Sequence, residues 1–263
     1  MIMRLFVAML LLVLAVPSLA SDFDHQHSAF TALLQQHVRQ SSDATASTVN
    51  YAALKQDSAP LKKYLATLSA VQRKDFDSWS ADQQLAFLIN AYNAYTLALI
   101  VEHYPVSSIR KIGRFWENPW KLEFFRLLGE PMHLDRIEHE IIRQPGRFDE
   151  PRIHFAVNCA SIGCPALARE AYRADTLDSQ LEESTRLFLS DRSRNRYDAG
   201  RKVLEISSIF DWYSVDFERS GGVAAWLANY AEVLTDDPAG QRMIRIGAGI
   251  KFLNYDWGLN EHK

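Results

Sequence analysis

The sequence predicts a helix-dominated α+β fold in one domain with a small β-sheet, on three observations. Residues 81–104 include "AFLINAYNAYTLALI", apolar on every side, as a helix buried all round should be. Shorter amphipathic segments with apolar residues three and four apart accompany it. Strand-like runs are few and short, and repeats and low-complexity tracts are absent.

The elements follow in order. Met1–Arg4 is basic, Leu5–Val16 is an uninterrupted apolar run, Pro17 breaks it, and Ser18-Leu19-Ala20 supplies small residues at −3 and −1. That is the pattern of a secretory signal peptide over residues 1–20. The run is shorter than the roughly 20 apolar residues of a membrane span. The expected product is exported, periplasmic or secreted, with no membrane span. Residues 21–49 read as an N-terminal helix (24–39, with Phe30, Leu33, Leu34 and Val38 on one stripe) and a Ser/Thr/Ala linker, and residues 50–263 as the main domain. A second helix covers about 59–73. Ser80 to Gln83 forms a capping box for the long helix, which Pro105 stops. Residues 113–128 are aromatic and irregular. A short strand at 132–134 leads into a helix over 135–143, a buried strand follows at 152–157, and a helix at 176–189. A strand at 203–206 precedes helices near 209–217 and 222–234.

With the leader removed, 28 − 32 gives a net charge of −4, since the leader holds one of the 29 basic residues and none of the 32 acids. A mildly acidic chain without a Lys/Arg cluster is a poor binder of nucleic acid. A small-molecule or peptide substrate is the expected partner, with no cofactor and no metal.

Three places could carry chemistry. The chain has two cysteines, both in "RIHFAVNCASIGCP". Cys159 and Cys164 are open to three readings: a disulfide loop, a metal site, or a nucleophilic thiol with a partner base. Gly163 can take the positive φ that closes a tight turn, and export favours a disulfide. Pro165 suits a first helical position, which would leave Cys164 at a helix N-cap with a lowered thiol pKa. Zinc would need further ligands from His139, His154 or an acid, at a spacing that matches no common template. Alternation on a strand puts His154 on a face with Asn158, roughly 16 Å from Cys159 at about 3.3 Å per residue, and so reads it as a core histidine. The second place is "LDRIEHEIIR", where Glu138 falls inside an apolar face with His139 on its flank. A buried carboxylate needs a partner, such as Arg143 or Arg152, or a catalytic role. The third is the pair Asn90 and Asn93, buried amides that either tie loops to the long helix or bind substrate.

The stretches "QLAFLINAYNAYTLALIVEHYP", "SIRKIG", "LDRIEHEIIR", "DEPRIHFAVNCASIGCPAL" and "SSIFDWYSVDF", in that order over about residues 50–217, resemble the DUF547 family (domain of unknown function 547), and the closing "YDWGLN" looks like its bacterial members. The resemblance marks Asn90, Asn93, Glu138, His139, His154, Cys159 and Cys164 as family-pattern positions and implies no chemistry for them.

The residue types suggest a thiol hydrolase or acyl transferase acting on an amide, peptide or thioester, with a papain-like arrangement. Cys159 is the nucleophile with Cys164 in reserve, His139 the base with His154 a further candidate, and Glu138 or an asparagine its orienting group. The backbone amides of the 159–164 turn form the oxyanion site, with Asn90, Asn93, Asn158 and Ser161 as substrate-binding or structural polar residues. A non-catalytic cell-envelope binding module with a Cys159–Cys164 disulfide is the alternative.

Overall fold

A computed structural model of the chain describes residues 23–262; the leader reading over residues 1–20 lies outside them. Helix α1 (Ser28–His37) turns directly into β1 (Val38–Gln40), which pairs antiparallel with β2 (Ser47–Val49). The segment read as a linker is therefore a small hairpin. Three helices follow, α2 (Tyr51–Gln56), α3 (Ala59–Ala70) and α4 (Arg73–Asp77). The central helix α5 (Ala81–His103) starts at the expected capping box: Gln83 N–H donates to Ser80 Oγ at 3.2 Å, and Ser80 N–H to Gln83 Oε1 at 2.9 Å. Its composition and length would suit a bilayer, but 89% of its most apolar window is buried inside the protein. It is the axis of a core that also takes Phe30, Leu34, Leu54, Leu68 and Ile137.

Strands β3 (Phe125–Leu127) and β4 (Glu130–Met132) form a hairpin beside α3. The helix expected after it is a π-helix, Arg136–Ile142, closed by Arg143 N–H donating to Glu138 O at 2.9 Å. Next, the buried strand expected at 152–157 is absent. Pro151 opens a 3-10 helix, Pro151–Phe155, because its fixed φ suits a first helical turn and Glu150 caps the Arg152 N–H at 3.0 Å. Ile153 joins the first core and Phe155 a second one, so this short helix lies where the two cores meet.

The second core is built by α6 (Leu177–Ser190), by α7 (Ile209–Trp212) and by a 3-10 helix, Ser214–Ser220. It is completed by α8 (Val223–Ala228), α9 (Ala231–Leu234) and α10 (Pro238–Ile246). These helices adjoin a three-stranded sheet in which β5 (Arg196–Asp198) is antiparallel and β7 (Gly249–Leu253) parallel to the central β6 (Val203–Ser207). The described residues thus form a helix-dominated α+β domain with small sheets. Helix α10 and strand β7 were not foreseen from sequence.

A candidate active site around the cysteine loop

Two asparagines of α5 set the position of the cysteine loop. Asn93 donates to Ala156 O at 3.0 Å and accepts from Asn158 N–H at 2.8 Å, and both partners are buried. Asn90 does the same for the Tyr172 backbone, at 2.7 and 2.9 Å. Both amides tie loops to the helix. Asn158 then closes the loop from within, accepting from Ala160 N–H at 2.8 Å and donating to Pro165 O at 2.8 Å.

The loop departs from expectation in three ways. The left-handed residue is Ala160, with φ 61°, and not Gly163. Gly163 is needed for another reason: a Cβ there would lie 2.9 Å from the Tyr255 ring. No helix begins at Pro165, because residues 166–174 run as loops pinned by Asn90, so Cys164 has no helix N-terminus beside it. Most of the expected oxyanion donors are also spent. The amides of Ala160, Ile162, Gly163 and Cys164 donate to Asn158 Oδ1, Gly258 O, Asp256 O and Ser161 O.

Cys159 and Cys164 are joined as a disulfide with their Cα atoms 6.3 Å apart. Cys164 is buried and Cys159 half-buried. Cys159 N–H donates to Cys164 Sγ at 3.0 Å, and the Tyr255 hydroxyl lies 3.1 Å from Cys164 Sγ and 3.2 Å from Cys159 Sγ. Buried Ser161 places its hydroxyl 3.6 Å from Cys159 Sγ. Burial pushes the Tyr255 phenol up, so it remains a donor at neutral pH.

Both sulfurs, together with Glu138, His139 and His154, line one cavity of about 210 Å³. The straight-strand separation of His154 from Cys159 does not apply, since the chain coils through the 3-10 helix and bends at Ala156 before the cysteine. His154 Nε2 bonds Asp216 Oδ2 at 2.6 Å, and Nδ1 is buried without a partner. The imidazole stacks on Tyr213 with centroids 3.8 Å apart. Burial lowers its pKa, against the raising effect of Asp216 and Glu138. Asp216 is clamped from the other side by Arg143, whose Nε and Nη2 lie 2.5 and 3.1 Å from its two oxygens. Burial works against its ionisation, yet the bonds from His154 and Arg143 hold the Asp216 carboxyl down at about 2. A charged Asp216 on Nε2 selects the tautomer with its proton there, leaving a lone pair on Nδ1. That is the geometry of an oriented general base.

His139, the base expected from sequence, stands at the rim, its side chain 37% exposed. Its Nδ1 is bonded to Arg143 Nη1, and its Nε2 lies 3.8 Å from Asp135 Oδ1. Glu138 is buried, 4% exposed, as its phase predicts. It forms no ion pair with either expected arginine: Arg143 holds Asp216, and Arg152 holds Glu150 and Asp178. Burial pushes the phenols of Tyr92 and Tyr213 up, with the charge of the Glu138 carboxylate and its hydrogen bonding to both phenols adding to the rise, while the buried Glu138 Oε1 atom itself lacks a donor in good geometry.

Asp216, Tyr213 and Tyr255 were missed as site residues, although "SSIFDWYSVDF" and "YDWGLN" were singled out as patterned stretches. Their distance along the chain hid them; Asp216 is 62 residues from His154 and Tyr255 is 91 from Cys164.

Residues 76–189 match the model of a family described as "Protein of unknown function, DUF547". No curated protein and no solved structure gives a match. The matched segment carries α5, Glu138, His139, His154 and both cysteines, while Asp216 and Tyr255 lie beyond it.

Proposed function

The chain is a member of the DUF547 family, whose description assigns no activity, and we propose that it is a thiol-dependent hydrolase or acyl transferase with a site closed by the Cys159–Cys164 disulfide and opened by reduction. One observation carries this reading: the two sulfurs share a cavity with a histidine whose tautomer is set by a charged carboxylate. Two equivalents of a thiol reductant would open the disulfide, leaving as their own disulfide and restoring both thiols. Cys159, the more exposed of the two, then gives its proton to His154 Nδ1 and attacks the carbonyl carbon of an amide or thioester. Tyr255, in reach of both sulfurs, donates to the oxyanion in place of the committed loop amides. His154 returns the proton to the departing amine or thiol. Water or a second acceptor, deprotonated by the same nitrogen, releases the acyl group and regenerates the thiol. The base is thereby His154 in place of His139, with Asp216 as the group that orients it. In the exported setting read from the leader, the disulfide persists until a reductant reaches it.

The test is alkylation by iodoacetamide near pH 6, before and after mild reduction. Reduced protein should label fastest at Cys159, His154→Gln should slow it by about tenfold or more, and His139→Ala should leave it nearly unchanged. The observed disulfide favours a second reading, a binding module stapled at the cavity wall. Slow labelling of both cysteines after reduction, indifferent to His154, would select that reading over the enzyme.

A further inference from the structure

We propose that the cavity recognises a primary ammonium group, held by Glu138 Oε1 against a wall of tryptophan and tyrosine rings. The cavity's ionisable side chains comprise two carboxylates, Asp135 and Glu138, two histidines and two tyrosines beside Tyr92, with no lysine or arginine among the lining residues. Glu138 is almost fully buried; the Tyr92 and Tyr213 phenols reach its carboxylate, but its Oε1 atom has no donor in hydrogen-bond geometry. His154 Nδ1 is likewise buried and unpartnered, and Asp216 leaves it an acceptor. Two buried acceptors without donors cost stability unless something else bonds them.

The remaining wall has the chemistry to match. Trp257 contacts Trp120, Trp212 and Tyr255, with ring centroids 5.8, 5.6 and 4.5 Å away, and all four line the cavity. Arg110 already sits over the Trp257 ring at 5.1 Å, and Arg143 over Tyr213 at 4.8 Å, so these rings take cations in this protein. An ammonium brings three donors and a positive charge on a compact head. It answers the carboxylate oxygen and the ring faces together, where a carboxylate ligand would be set against Glu138 and Asp135. A space of about 210 Å³ holds such a head with a few carbons. For the enzyme proposed above, the ammonium belongs to the substrate or to an amine acceptor. The binding itself does not depend on that reading, because it needs neither free thiols nor turnover.

The experiment is therefore a titration of the oxidised protein with n-butylammonium, n-butanol and n-butyrate, followed by calorimetry or by chemical-shift changes at the tryptophan indoles. Butylammonium should bind and shift the indoles of Trp120, Trp212 and Trp257, with n-butanol and butyrate weaker by about tenfold or more. Glu138→Gln should abolish the preference for the ammonium over the alcohol, and Trp212→Leu, at a partly exposed ring, should weaken it. Equal binding of the three probes to the wild type, or stronger binding of butyrate, would overturn the proposal without reference to any variant. A thiol that fails to alkylate would leave it standing and count against the enzyme reading alone.

Discussion

Glu138 brings a carboxylate to the buried side of the π-helix and forms an ion pair with neither expected arginine; the Tyr92 and Tyr213 phenols bond it, Arg143 acts on it only at longer range, and its Oε1 stays unbonded. Removing one partner of a buried ion pair costs about 3–5 kcal/mol, which is what its position in the sequence would suggest. With no such pair, neutralising the carboxylate removes a desolvated charge. Glu138→Gln is expected to keep or raise the melting temperature, and a thermal scan showing a loss near 3 kcal/mol would argue that a resident cation balances the charge. His27 gives a second test at this scale. It is buried, bonded through Nδ1 to the Tyr64 hydroxyl at 2.7 Å, and burial lowers its pKa to about 4. Between about pH 6.5 and 4 the unfolded chain binds a proton that the folded chain refuses, so stability rises with pH across that window and is lost as pH falls. The 2.5-unit span corresponds to about 3 kcal/mol at most. His27→Gln should flatten that part of the profile, measured by denaturant unfolding at pH 4.5 and 7; an equally steep profile in the variant would assign the acid loss to other groups.

Helix α5 and the cysteine loop form one unit through Asn93, while Asn90 serves a different loop. Asn93→Ala leaves a buried carbonyl and a buried amide unpaired beside Cys159 and should cost about 2–4 kcal/mol. It should also change Cys159 alkylation after reduction. Asn90→Ala should cost a similar amount while leaving the alkylation rate intact, since its partner is Tyr172; equal disturbance of the thiol by both variants would contradict this division. The long helix was visible with its cap because its pattern is local, and the two asparagines stood out as polar residues on an apolar cylinder. Glu138 stood out for the same reason. The segment 152–157 alternates like a strand, yet Pro151 and the Glu150 cap coil it, and two cores draw Ile153 and Phe155 apart. Strand geometry ranks His154 below His139 as the base while leaving it among the candidate residues, because distance along a straight strand overstates its separation from Cys159. Asp216 and Tyr255 approach through tertiary packing, which leaves no mark in spacing.

Across the whole molecule, two hydrophobic clusters meet at the 3-10 helix and the cavity opens beside that junction. The first cluster includes α1, so the helix after the proposed leader is part of the core: Phe30, Leu33 and Leu34 are all buried. Edman sequencing of the exported protein should begin at or within a couple of residues of Ser21, which leaves α1 whole. An intact Met1 on the exported product would remove both the leader and the compartment inferred from it. Strand β7 and the residues after it bind distant parts: Ile250 aligns with Leu204, Leu259 N–H donates to Ser107 O at 2.9 Å, and the Tyr51 hydroxyl donates to Asn260 at 2.7 Å.

Tyr255 reaches the two sulfurs from 91 positions further along the chain. On a ribosome or a translocon, Cys159 and Cys164 therefore emerge long before the phenol that covers them. During that interval the thiols are open to oxidants and to other nascent chains, with no Tyr255 over them and no β7 beside β6. The last part of the site to be synthesised is thus the part that shields it, and the oxidation state of the pair can be set before the chain is finished.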